Sequence, residues 1–354
     1  MEASKTTSNS RGNSYDEYKN GNNRQSEDEF SKQGSANGAS EQNPEVNSNS
    51  SSHEASGQID ADSNTVLEVA QHYNRRPDLG VSKRKESRIF KLRSFNNWVK
   101  SLLIGCTVKK GDTVLDLGCG KGGDLMKFSR ANASRYVGAD IAAVSVEQAM
   151  TRYQLMRGAK FDAKFFVHDC FGKSTSTIFP AHFQADVVSL QFCLHYSFET
   201  EEKARMMLSN VTNNLKVNGK FIGTIPDANR IIKKLRSSDG LKFGNSIYNI
   251  RFENKDNFQP FGSKYWFHLE DAIDDCPEYL VHFGTFVKLA SEYGLTLVEH
   301  FGFHEYYENY CKHPDFNDLL YRMDVISSEG PDEFPEDEWE AIGLYKTFIM
   351  EKSH

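Results

Sequence analysis

The chain has 354 residues, 26% of them charged, and a formal net charge of −7. No apolar run approaches the ~20 residues that span a bilayer, and the opening MEASKTTSNSRGNSYDEYKN lacks the apolar core of a secretory signal. A soluble intracellular protein with no membrane partner is therefore expected. Net acidity argues against a general nucleic-acid coat but leaves room for a local basic groove.

Residues 1–62 are rich in Ser, Asn, Glu and Gly and nearly free of Leu, Ile and Val. Such a segment cannot bury enough apolar surface to offset its ordering entropy, so a disordered tail is expected ahead of a folded domain over 63–354. TVLEVAQHYN, from Thr65, has helical apolar spacing. A basic run follows, with Arg75, Arg76, Lys83, Arg84, Lys85, Arg88, Lys91, Arg93 and Lys100. Within it Ile89, Leu92, Phe95, Val99, Leu102 and Leu103 fit one face of an amphipathic helix. A solvated helix face suits most of these charges; a phosphate-binding patch is the sharper reading.

From Gly111 strands and helices alternate. TVLDLG, RYVGADI, AKFFVHD, DVVSLQF and GKFIGTIP read as strands, and GDLMKFSRA, AAVSVEQAMTRYQLM and TEEKARMMLSNVTNNL as helices. This order predicts an α/β doubly wound fold, a mostly parallel sheet with helices on both faces. Gly219 is expected to close the last of these helices. After Pro226, SIYNIRFENKDNFQPFGSKYWFHLE reads as an antiparallel insertion. A helix (HFGTFVKLASEYG), a strand (LTLVEHFGF), an acidic surface loop (EGPDEFPEDEWE) and a final strand (IGLYKTFIM) follow. The six cysteines, at 106, 119, 170, 193, 276 and 311, show no C-x-x-C spacing, so reduced thiols and no metal are expected.

VLDLGCGKGGDL, Val114 to Leu125, joins the first strand to a helix through Gly118, Gly120, Gly122 and Gly123. The P-loop pattern G-x-x-x-x-G-K-[ST] is not there. In an open parallel sheet, ligands sit beyond the carboxyl ends of the strands, where strand order reverses. A dinucleotide and another adenosine-bearing cofactor both fit the glycines, and Asp140, about 20 residues on, suits the ribose of either. Asp116 separates them: a carboxylate beside the loop repels a pyrophosphate and suits an ammonium or a sulfonium.

The loop resembles the first motif of class I S-adenosylmethionine-dependent methyltransferases. With FNNWVKSLLI, GADIAAVSVEQAMTRY, VVSLQFCLHYSFETEEKARMML, NGKFIGTIPD, PEYLVHF and IGLYKTF, the chain from about Thr65 resembles eukaryotic mRNA cap guanine-N7 methyltransferases. The resemblance implies a Rossmann-like seven-stranded sheet with the antiparallel insertion after the fifth strand, and methyl transfer from S-adenosylmethionine to guanine N7 of a 5′ cap. For the cofactor it implies Lys100 at the carboxylate, Gly118 in the tight loop, Asp140 on the ribose, Asp169 on the adenine amino group, and Gln191 and Tyr196 near the methionine portion, with Asp116 beside them.

For the acceptor it implies Glu278 as the guanine reader, His195 at the base's other edge, Tyr345 from the last strand, Phe192 and Pro226 as walls, and Asn96 and Asn97 on the cap. Lys121, Lys127 and Arg152 are implied for the triphosphate. No general base is needed, because N7 already carries a lone pair. The resemblance further implies capped mRNA as substrate, RNA polymerase II or the capping machinery and an activating subunit as partners, and a nuclear location. A methyltransferase with another acceptor, a non-catalytic RNA-binding scaffold and an NAD oxidoreductase are the competing readings.

Overall fold

The computed structural model describes residues 70–72, 74, 85–158, 161–327 and 334–354. The chain divides into two units, Met1–Asp60 and Ala61–His354. The expected tail, most of the helix from Thr65, Arg75, Arg76, Lys83 and Arg84, and residues 329–333 of the acidic segment lie outside the described residues.

Helix α1 (Phe90–Thr107) precedes β1 (Thr113–Leu117), α2 (Leu125–Arg130), β2 (Arg135–Asp140), α3 (Ala143–Leu155), β3 (Asp162–Val167), β4 (Ala185–Gln191), α4 (Glu201–Asn213) and β5 (Leu215–Pro226). Later come β10 (Leu295–Gly302) and β11 (Tyr345–Lys352). These strands form one seven-stranded sheet in the order β10-β11-β5-β4-β1-β2-β3. The β1–β2, β2–β3, β1–β4 and β4–β5 pairs are parallel, and β11 runs antiparallel to both its neighbours. Strand order reverses between β1 and β4, which is where such a sheet opens a crevice.

Side-chain alternation feeds two cores. Leu115, Leu117, Val188, Phe221 and Phe348 face one side, and Val114, Tyr136, Val187 and Ile222 the other. α1 lays Leu92, Phe95, Val99, Leu102 and Leu103 inward as its spacing predicts. α4 starts at an N-cap threonine, Thr200, whose side chain accepts from the Lys203 amide, with Glu201 and Glu202 in the first turn.

The insertion is a separate antiparallel sheet of four strands: β6 (Lys242–Gly244), β7 (Tyr248–Arg251), β8 (Lys264–Leu269) and β9 (Ile273–Tyr279), preceded by α5 (Ala228–Ser237). It extends past the expected segment to include Glu278, which sits in β9 opposite Tyr265. Three helices follow it around β10: α6 (Phe283–Glu292), α7 (Phe303–Tyr310) and α8 (Pro314–Arg322).

Two expectations change. Gly219 does not close α4, which ends at Asn213. It lies inside β5, in a bulge that separates the Ala185–Leu215 and Val187–Lys220 pairs. A Cβ there would meet the Lys216 and Asp186 carbonyl oxygens at 2.8 and 2.9 Å, so the glycine serves close strand approach. The acidic segment is not simply a surface loop. Glu336–Ile342 forms α9, and Glu338, 5% exposed, accepts the Leu92 amide at 2.6 Å. Among the described cations of the basic run, Lys85 and Arg88 are exposed, as a solvated face requires, and Lys91 and Arg93 are half-buried; each also has a partner within the chain. Lys91 donates to the Asp324 and Val325 carbonyls, Arg93 to the Asp271 carbonyl, Arg88 to Ser246, and Lys85 pairs with Asp324 at 3.3 Å.

Candidate active site

A cleft of about 280 Å³ opens at the carboxyl ends of β1, β2, β3 and β4. Lys100, Gly118, Asp140, Asp169, Gln191 and Tyr196 all line it, together with Phe192. Six of the seven residues expected at the cofactor, dispersed over nearly a hundred positions, thus share one cavity.

Gly118 holds the loop open, with φ at +76°. A Cβ on it would fall 2.5 Å from the Cys193 sulfur, so no larger residue fits. Asp140 closes the next turn. Its Oδ2 accepts the Gly120 amide and its Oδ1 the Ala142 amide, both at 2.8 Å. Burial pushes its carboxyl up, and the amides of Ala142, Gly120 and Ile141 pull it back. Asp169 Oδ1 accepts the Phe171 and Gly172 amides at 3.1 and 2.9 Å. Gln191 is held at the end of β4, its Nε2 donating to Ser189 and its Oε1 accepting from Thr224, each at 3.2 Å. Phe192 has φ of +57°, a left-handed backbone, fixed by its amide bonding to Thr224 O at 3.0 Å. Strain of this kind in a bulky residue needs a rigid frame, and it turns the ring toward the cleft wall.

Asp116 is the exception. It lies within β1 opposite Gly138 and Ser189, 3% exposed, and accepts the Tyr136 hydroxyl at 2.9 Å. It does not line the cleft, because the alternation of β1 turns it to the Val114 side.

Lys100 reaches across to Asp124, with Nζ 2.9 Å from Oδ2, and Lys127 meets the same carboxylate at 2.8 Å. Lys127 also donates to Asn97 Oδ1 at 3.0 Å and to the Gly123 carbonyl. Burial opposes a charge on Asp124, yet the two lysines hold its carboxyl well below the usual carboxylate range. Burial pulls Lys127 down. The Lys100 ammonium stands 5.8 Å from the Phe192 ring centre.

The acceptor candidates gather beside Phe192 and Tyr196. Tyr345 meets the Phe192 ring edge-to-face at 5.0 Å and pairs in register with Pro226. The His195 and Tyr196 rings lie 4.3 Å apart. His195 Nε2 stands 3.5 Å from Glu278 Oε1, without hydrogen-bond geometry, and Tyr265 donates to Glu278 Oε2 at 2.5 Å. Both His195 and Glu278 are almost fully buried. Tyr196 OH lies 3.7 Å from the Cys276 sulfur, which ties this group to the cleft. Asn96 Oδ1 is buried without a hydrogen-bond partner. Lys121, in the loop, and Arg152, on α3, are half-buried and do not line the cleft.

Sequence reasoning did not assign Asp124, Glu199, Lys203 or Tyr279, all of which line the cleft. Tyr279 donates to Glu199 at 2.8 Å, and Lys203 pairs with Glu199 at 2.5 Å. The four-residue spacing of Glu199 and Lys203 is the one signal that could have found them. Among the described residues no His, Cys, Asp and Glu cluster could hold a metal, and no helix is long and apolar enough to cross a membrane.

A doubly wound sheet with a glycine loop and acids at its switch point defines a nucleotide-type ligand site of the α/β class. The pattern of the mRNA (guanine-N(7))-methyltransferase domain matches residues 57–353, and the chain belongs to that family. The mRNA cap guanine-N(7) methyltransferase of Cryptococcus neoformans is 45% identical over 299 residues, covering 82% of this chain and 48% of that protein. Enzyme 1 of that name from Arabidopsis thaliana is 43% identical over 304 residues, covering 82% of both chains. The Saccharomyces cerevisiae relative is 46% identical over 255 residues, covering 68% of this chain and 58% of that one. The chain spans about half the length of the Cryptococcus proteins it matches.

Proposed function

We propose that this chain transfers a methyl group from S-adenosylmethionine to N7 of the guanine in a 5′ GpppN cap of mRNA. Family membership supports the reading, and one observation carries it: six expected donor residues line one cleft whose wall, at Phe192 and Tyr196, abuts the Glu278–His195 pair.

The donor set suits an adenosyl amino acid. Asp140, anchored by two backbone amides, offers its outer lone pairs to ribose hydroxyls, and Asp169 to an exocyclic amine. Lys100 suits a carboxylate. When bound, S-adenosylmethionine supplies an electrophilic methyl on a sulfonium. Glu278 can accept the two parallel donors of guanine, N1–H and the 2-amino group, and Phe192 offers a face for the purine. N7 needs no base, so the chain's task is to hold it aligned at near-attack distance, ~3–3.5 Å, with carboxylates near the purine as it gains positive charge.

Asn96, Asn97, Lys121, Lys127 and Arg152 complete the reading as cap and triphosphate contacts. Capped mRNA is the substrate, RNA polymerase II or the capping machinery and an activating subunit the partners, and the nucleus the location. Residues 1–62 stand outside the catalytic domain, and their removal should leave activity on a short cap substrate intact. The test is transfer of labelled methyl to GpppG against GTP. Transfer to GpppG, with GTP slower, supports the reading; a chain that binds the donor but methylates neither overturns it.

A further inference from the structure

The antiparallel sheet turns one face to the core and one to solvent. Across its solvent face Lys242, Arg251 and Trp266 stand directly opposite one another on β6, β7 and β8. Residues paired in this way share a face. The Arg251 guanidinium lies 4.2 Å from the Trp266 ring centre, and Lys264, two residues back along β8, lies 6.0 Å from it. Lys264 in turn opposes Tyr279, with its ammonium 5.8 Å from that ring. Tyr279 is part of the cleft wall. Two cations, Arg251 and Lys264, therefore flank an indole, a third, Lys242, stands beyond Arg251 on the edge strand, and the row ends against Tyr279, a buried residue that lines the cleft.

Its charges are incompletely balanced. Arg251 pairs with Asp275 at 3.1 Å, whereas Lys242 and Lys264 have no carboxylate partner among the described residues. Lys242, directly opposite Arg251, adds a second cation beside the one that Asp275 neutralises. Further along the same face the charge turns acidic: His268 stands 3.7 Å from both Glu270 and Asp274. The cationic part is thus the part that adjoins the cleft.

We propose that this row binds the single-stranded RNA that follows the cap. The proposal rests on the reading of the cleft as a cap methyltransferase site. Bases stack on indole rings and guanidinium planes, and phosphates take the cations. A strand of RNA uses both features, whereas an acidic protein segment uses only the charges.

The test compares GpppG with a capped RNA of twenty nucleotides, using the full chain carrying Trp266→Ala, Trp266→Phe or Lys264→Ser. Trp266→Ala should raise KM for the capped RNA by roughly 5- to 150-fold, the range that loss of one stacked base implies. Its kcat, and both constants for GpppG, should stay put, and Trp266→Phe should restore most of the loss. Lys264→Ser should weaken binding of the same RNA without a cap and flatten its salt dependence, as loss of a phosphate contact requires. Equal KM shifts on both substrates, or uncapped-RNA affinity indifferent to Trp266 and Lys264, would overturn the proposal. A wild-type chain inactive on GpppG would instead refute the cap reading.

Discussion

The Lys100 ammonium sits 2.9 Å from Asp124 Oδ2, and Lys127 shares that carboxylate from the other side. One buried acid thus holds a lysine assigned to the donor and a lysine assigned to the acceptor phosphates. Removing one partner of a buried ion pair leaves the others uncompensated, a loss of about 3–5 kcal/mol. Asp124→Asn should therefore lower the urea midpoint strongly and weaken S-adenosylhomocysteine binding. Unfolding and affinity equal to the unmutated chain would show that the two lysines do not depend on this anchor.

Glu278→Gln keeps the size of the side chain and an acceptor for Tyr265, but replaces one carboxylate oxygen by an amide donor. Guanine offers donors, so that amide meets a like group. Losing one or two charge-assisted hydrogen bonds of ~1.5–3 kcal/mol each predicts a fall in kcat/KM for GpppG of roughly 10-fold to well over 100-fold. S-adenosylhomocysteine affinity, measured by calorimetry, should change less than about twofold by the same account, because no donor contact is touched. Parallel losses in both would remove Glu278 from the guanine site.

Asp140 carries two roles that a pair of substitutions separates. Asp140→Ala removes the acceptor for a ribose and also frees the Gly120 and Ala142 amides that shape the loop. Asp140→Asn keeps one oxygen acceptor but loses the charge. The expected order of donor affinity is unmutated, then Asn, then Ala, with Ala weaker by about 10-fold or more, the value of a charge-assisted hydrogen bond. An Ala variant that binds S-adenosylhomocysteine normally would rule out the ribose contact.

What was legible in the sequence was local. Alternating apolar runs marked β1 to β5, and loop glycines with acids at strand ends marked the cleft, because strand period and turn chemistry are written in neighbouring residues. What was not legible was long-range. The partners of Lys91 and Arg93 in the basic run, at Asp324 and Asp271, could not be read because they lie more than 170 residues away. α9 read as loop because its acids look solvated until Glu338 meets the amide end of α1. The bond of Asp116 to Tyr136 was not legible either, because its place in the motif says nothing of the hydroxyl that the next strand brings. Gly219 looked like a helix stop because a bulge between β4 and β5 has no period.

Asp116 also makes the protein's stability depend on pH. Burial, then the charge of Asp124, pushes its carboxyl up to about 7, against hydrogen bonds from Tyr136 and Ser189. The folded chain therefore keeps a proton that the unfolded chain releases near the ordinary value of 3.8. The native state binds more protons over that interval, so this residue's contribution falls as pH rises from about 4 and is fully lost above about 7. Asp124 has the opposite sign: its lowered carboxyl stabilises the fold above the ordinary carboxylate range and loses that effect as pH falls. Asp116→Asn mimics the protonated acid, still accepts from Tyr136, and removes only the first dependence. Thermal melts of both chains from pH 4 to pH 8 at constant ionic strength should show the unmutated protein losing ground to Asp116→Asn as pH rises, and most of that change should fall below about pH 7. A constant gap between the two curves would mean that Asp116 is ionised throughout, and that the pair it forms with Tyr136 holds a charge rather than a proton.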